Sequence, residues 1–186
     1  MDPGSDETSS DETESTNSTN SSEELDNNSS EDNEPLNEEF DQTSIDSGLK
    51  WLNSPVRVYL DSFSNSLIIV NHIANNIVRW PLGATSWALP AGDINGNQEN
   101  NATTLYHPTD VIFDPMGNMY VADRENQRMQ LFMNGQTEGI TIAGVTDVSD
   151  SNSTLLHSPW SVELDSQLNL YVADSGNHRI QKFLRY

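Results

Sequence analysis

"YVADRENQRMQLF", Tyr120–Phe132, is followed 51 residues later by "YVADSGNHRIQKF", Tyr171–Phe183. Extending both stretches back to the preceding proline gives two 25-residue units, beginning at Pro108 and Pro159, that are identical at 12 positions without a gap. A weaker third copy, "PVRVYLDSFSNSLIIVNHIANNIVRW", begins at Pro55, so the units start 53 and 51 residues apart. A period of this length is that of architectures that stack one small structural unit on the next.

Within each unit, short runs rich in β-branched and aromatic residues alternate with turn-forming residues. Val56 to Leu60 precedes Leu67 to Val70, Val111 to Phe113 precedes Met119 to Ala122, and Val162 to Leu164 precedes Leu170 to Ala173. The connections "DSFSNS", "DPMGN" and "DSQLN" supply Asp, Asn and Gly, which suit tight turns. A third run follows at Ile77 to Trp80, Met129 to Phe132 and Ile180 to Leu184, and in the first two units a fourth run ends at Gly92 or Gly144. Four antiparallel strands per unit make the blade of a β-propeller.

The second turn of each unit, "VADRENQRM" and "VADSGNHRI", resembles the NHL repeat, whose Asn-His-Leu signature Asn177, His178 and Arg179 nearly spell. The resemblance runs from Pro55 to Tyr186 and implies an all-β propeller, typically six-bladed, that binds partners through its faces and loops. The expected fold is therefore a partial propeller of about three four-stranded blades, near 54–106, 107–157 and 158–186, with the last incomplete because Tyr186 falls where a fourth strand should begin. A fragment of a longer protein, or two copies associating head to tail into a ring, would each complete it. In the first unit Asn71 takes the place of Asp123 and Asp174, Ile77 that of Arg128 and Arg179, and each turn reads as one residue longer and looser.

Charge separates this repeat region, 48–186, from what precedes it. Residues 1–47 carry 16 acidic and no basic side chains and almost nothing apolar, whereas the rest of the chain has a net charge of −5. Such a Ser-, Thr- and Asn-rich acidic segment is expected to be a disordered tail. No run of about 18 apolar residues is present to span a bilayer, and without cysteine the chain has neither disulfide nor thiolate chemistry.

The recurrent polar residues Asp123, Asn126 and Arg128, and Asp174, Asn177 and Arg179, read as scaffold: a carboxylate capping turn amides, an Asn tolerating positive φ, an Arg tying blades together. Propellers resembling the peptidyl-hydroxyglycine amidating lyase carry zinc-binding histidines directly after the repeat prolines, but Val56, Thr109 and Trp160 stand there, and Val and Trp cannot ligate zinc. "DINGNQE", Asp93 to Glu99, lacks the bidentate Glu of a calcium loop, since Thr104 stands at that position. There is no nucleophile elbow or phosphate loop either. RNA, a ligand of some NHL propellers, is disfavoured by net negative charge, although Arg57, Arg79, Arg124 and Arg185 could gather on one surface. The expected function is a non-enzymatic module, without cofactor, that binds a protein or small ligand, with Trp160, Thr109 and Val56 as candidate contacts at the start of the inner strands. A lyase-like or hydrolytic enzyme with its site in blades outside this chain, and an RNA-binding propeller, are the alternatives.

Overall fold

Strands form where the β-rich runs lie, and the chain turns back at each Asp/Asn/Gly cluster. A computed structural model describes residues 52–185, which fall within one unit, Thr43–Tyr186. The acidic segment expected at 1–47, together with Trp51 and Tyr186, lies outside the described residues.

Three antiparallel sheets follow one another along the chain. The first contains β1 (Pro55–Asp61), β2 (Ser66–Asn71), β3 (Asn76–Pro81) and β4 (Ala88–Gly92) in sequential order. The second contains β5 (Pro108–Phe113), β6 (Met119–Asp123), β7 (Arg128–Phe132) and β8 (Gly139–Gly144) in the same order. The third contains β9 (Pro159–Leu164), β10 (Leu170–Asp174) and β11 (Arg179–Phe183), with a single 3-10 turn, Ser175–Asn177, before its last strand. The first strands β1, β5 and β9 lie beside one another, so the sheets fan out from a common inner edge. Each begins with a proline, which has no N–H to give to the ladder, and the pairing slips by one residue there in all three sheets. The residue before each proline, Ser54, His107 or Ser158, is left-handed, with φ of 56°, 47° and 51°.

Sheet faces close on one another through apolar side chains. Ile68, Val70, Ile77 and Ala91 of the first sheet share one buried cluster with Val111, Met119, Val121 and Phe132 of the second. Tyr120, Ala122, Met129 and Ala143 of the second share another with Val162, Leu170 and Val172 of the third. Middle strands are therefore apolar on both faces; β6 is buried at every position. Face-to-face burial of this kind is the dominant favourable term in holding such sheets together.

The first sheet corrects one expectation. Asn71 pairs with Asn76, as Asp123 pairs with Arg128, so the second turn has the same length in both sheets and Asn76, not Ile77, occupies the arginine position. Only the first turn of that sheet is longer, since Leu60 pairs with Leu67 whereas Phe113 pairs with Met119. Asn71 Nδ2 donates to Asn76 Oδ1 at 3.2 Å, and both side chains are buried. A neutral amide pair thus takes the place of an ion pair, in a turn closed as tightly as the others.

Candidate functional site

The second turn of each sheet sits at the end where the inner strands begin. In the second sheet the carboxylate of Asp123 accepts from the Tyr106 amide at 2.7 Å, from Asn126 Nδ2 at 2.9 Å and from Arg128 Nε at 2.8 Å. Arg128 continues to the carbonyls of Asn100, Asn101 and Thr104, in the segment that enters its own sheet. The third sheet repeats this with Asp174, Asn177 and Arg179, whose guanidinium reaches the carbonyls of Ser151, Asn152 and Leu155. The first sheet keeps one element, the Asn53 amide donating to Asn71 Oδ1 at 2.6 Å.

Two details depart from the roles expected of these residues. The carboxylates cap the amide two residues before the inner strand of their own sheet, Tyr106 before β5 and His157 before β9, rather than amides of their own turn. The left-handed residue is not the motif asparagine but the one after it, Gln127 (φ 57°) or His178 (φ 53°), with Asn75 (φ 56°) its equivalent in the first sheet. Asn126 and Asn177 instead donate to the carboxylate and to an incoming carbonyl. Burial pushes the Asp123 carboxyl up, and Arg128 with the surrounding N–H donors pulls it back.

A second polar node joins the inner strands. Asp110 on β5 is buried; its Oδ2 accepts from Ser161 Oγ at 2.5 Å and from the Val162 amide at 3.0 Å, and its Oδ1 lies 3.1 Å from Arg57 Nε on β1. One carboxylate therefore links all three sheets at their common edge. Sequence reasoning passed over Asp110; the signal was available as a lone acid inside the apolar run "PTDVIF", where only a partnered carboxylate is tolerated.

At the end where the inner strands begin lie two groups of aromatic and cationic side chains. The rings of His72 and His107 stack at 4.6 Å, that of Tyr106 lies 4.7 Å from His107, and the Arg124 guanidinium lies 5.3 Å from the ring of Trp160. His72 Nδ1 is 3.1 Å from the carbonyl of Pro108. Burial, and next the facing His72, hold the His107 imidazole below its ordinary pKa. Of the three candidate contacts, Val56 and Trp160 are 43% and 47% exposed, whereas Thr109 is buried and its hydroxyl donates to the carbonyl of Pro159. The arginines do not converge: Arg57 sits on Asp110, Arg79 over Phe113, Arg124 over Trp160, and Arg185 lines a cleft of about 310 Å³ between the outer parts of the second and third sheets.

Among the described residues no group of three or more His, Asp or Glu is placed to hold a metal ion. In the Asp93 loop the carboxylate accepts from the Asn95 amide and from Asn97 Nδ2. No described helix is long and apolar enough to cross a membrane.

Sheets of this topology, fanned around their first strands, are propeller blades, and the chain is an all-β, propeller-type protein. Residues 156–183, spanning the third sheet, match the family model for the NHL repeat. Among solved structures, an auxiliary nutrient binding protein from Bacteroides thetaiotaomicron is 19% identical with a TM-score of 0.56, covering 67% of this chain and 36% of its own. An auxiliary nutrient binding protein from Bacteroides ovatus is 17% identical with a TM-score of 0.54, over 67% of this chain and 36% of its own. A streptogramin B lyase is 11% identical with a TM-score of 0.55, over 74% and 40%. At these identities the likeness is one of fold, and the chain spans well under half the length of each of these proteins. No curated protein matches the sequence.

Proposed function

We propose that this chain is a non-enzymatic NHL-type propeller module that binds a protein or small ligand at the end where its inner strands begin. The observation that carries this reading is Trp160, half exposed at the start of β9 with the Arg124 guanidinium over its ring, at the same end of the sheets as Tyr106 and the stacked pair His72 and His107. Exposed aromatic and arginine side chains on a rigid sheet edge are the groups that anchor partners most effectively. The carboxylates near them support binding over catalysis, because Asp110, Asp123 and Asp174 are each saturated by structural donors. Nutrient binding and lyase activity belong to the proteins of similar fold, and neither is carried over at such low identity.

The test is a peptide and small-molecule panel screened against the chain and against its Trp160→Ala/Arg124→Ala variant. Ligands lost at least about tenfold in affinity by the variant support the site. Equal binding by both removes it, and zinc- or calcium-dependent turnover in an amidating-lyase assay overturns the non-enzymatic reading.

A further inference from the structure

At the end of the sheets where β1 turns into β2 and β5 into β6, a cleft of about 670 Å³ opens between the first and second sheets. Tyr59, Phe63, Arg79 and Phe113 line it, with Asp61 and Asp114 at the two turns. Both walls belong to four-stranded sheets whose shared core is sealed by Ile68, Val70, Val111 and Val121. The volume is within the range of about 300–1,000 Å³ that small-molecule sites occupy.

The joint between the second and third sheets shows what this place needs for packing alone. By strand register Ile112, Leu131 and Leu164 are there the equivalents of Tyr59, Arg79 and Phe113. All three pack against the buried cluster of that joint, so an aliphatic set is enough to close it. The first joint instead carries two stacked rings, Tyr59 and Phe113 with centroids 5.5 Å apart, and the Arg79 guanidinium 5.8 Å from the Phe113 ring. Phe63 adds a fully exposed ring on the first turn.

Arg79 is also the arginine whose charge the sheets leave unanswered. Arg57, Arg124, Arg128 and Arg179 each lie within 3.1 Å of a carboxylate. Among the described residues part-buried Arg79 has no such partner, and its Nε is buried without an acceptor. The acids of the cleft are engaged in their own turns. Asp61 accepts from the Phe63 and Ser64 amides and the Ser64 hydroxyl, and Asp114 from the Met116 and Asn118 amides, Asn118 Nδ2 and the Tyr120 hydroxyl. A buried donor without an acceptor is costly, and a ligand that brings one removes that cost.

We propose that this cleft binds a small monocarboxylate with a planar aromatic body, its carboxylate accepting from Arg79 and its ring lying against Tyr59, Phe113 and Phe63. A guanidinium presents parallel N–H donors that match the two oxygens of a carboxylate, and aromatic walls favour a flat apolar body in offset or edge contact. Asp61 and Asp114 set the charge of the ligand: a single negative charge is drawn to Arg79, whereas a phosphate dianion meets like charge from both turns. The cleft is at the opposite end of the sheets from Trp160, so this inference does not depend on the binding site proposed there.

Isothermal titration calorimetry on the whole chain tests it, with 2-naphthoate as the probe beside acetate, 2-naphthamide, 2-naphthyl phosphate and the peptide Gly-Gly-Phe. 2-Naphthoate should bind, and Arg79→Leu, which places the side chain of Leu131 at the equivalent position, should weaken it by about tenfold or more. Arg79→Lys should regain part of that loss. Phe63→Ala, at a position that faces solvent and so keeps the fold, should weaken binding about threefold; circular dichroism verifies the fold of each variant. Acetate and 2-naphthamide should bind at least about tenfold more weakly than 2-naphthoate, and Trp160→Ala/Arg124→Ala should bind it as the wild type does. No binding of 2-naphthoate up to about 1 mM, or equal binding by the wild type, Arg79→Leu and Phe63→Ala, overturns the inference. Tighter binding of 2-naphthyl phosphate overturns the monocarboxylate class, and tighter binding of the peptide overturns the small-molecule reading in favour of a polypeptide C-terminus.

Discussion

Arg128 Nε lies 2.8 Å from Asp123 Oδ2, and the side chains are 3% and 0% exposed, so this ion pair is held in the interior of the turn. Removing one partner strands the other. Arg128→Ala should lower stability by about 3–5 kcal/mol in denaturant titration, and the equivalent Arg179→Ala by roughly half of that, because the Arg179 side chain is 26% exposed. The first sheet supplies a rescue: Asp123→Asn combined with Arg128→Asn recreates the Asn71 and Asn76 pair and should be about 1–2 kcal/mol more stable than Arg128→Ala.

Asp110 binds three sheets together through one carboxylate, so Asp110→Ala should act on the inner edge before the rest. Hydrogen exchange is the measurement: the Val162 amide, which donates to Asp110, should lose protection equivalent to about 1–3 kcal/mol. The Gln130 amide, paired on β7 away from this edge, should change little. Equal loss at both sites would mean that Asp110 stabilises the fold as a whole.

His107 gives a pH dependence with a definite sign. Its pKa is depressed in the fold, by burial first and then by His72 and Arg124, with Glu125 opposing. The unfolded chain then binds more protons in the window between the depressed value and the ordinary value of about 6.5, so stability is present above that window and is lost as pH falls through it. The Tm should drop as pH falls below about 6.5 in the wild type, and His107→Gln should flatten that drop.

Two glycines of positive φ should respond differently to alanine. Gly144 has φ +76°, and a Cβ there would sit 2.3 Å from the Gln127 carbonyl oxygen, so Gly144→Ala must displace the second turn and should cost more than about 2 kcal/mol. Gly135 has φ +79° with open space around it, so Gly135→Ala should cost only about 1 kcal/mol of backbone strain. Thermal unfolding of the two variants separates steric from conformational cost.

The repeat was legible because its causes are local. Prolines at Pro55, Pro108 and Pro159, alternation in the runs that follow and Asp/Asn turns fix strand positions through short-range sterics and hydrogen bonding, and the sheets appear where those signals lie. The second turn of the first sheet was misread, because counting it one residue longer placed Ile77 on Arg128, whereas the hydrogen-bond register pairs Asn71 with Asn76.

Sequence by itself determined the all-β class, the NHL-type period and the identity of the turn residues, since each depends on interactions within about 50 residues of chain. Only the tertiary structure decided that Asp123 and Asp174 cap the amide before the inner strand of their own sheet, that Asp110 joins all three sheets, and that Thr109 is buried while Trp160 is open to solvent. Those facts depend on how the entering segment folds back on its own sheet and on how one sheet meets the next, and contacts between segments apart in sequence leave no periodic trace along the chain.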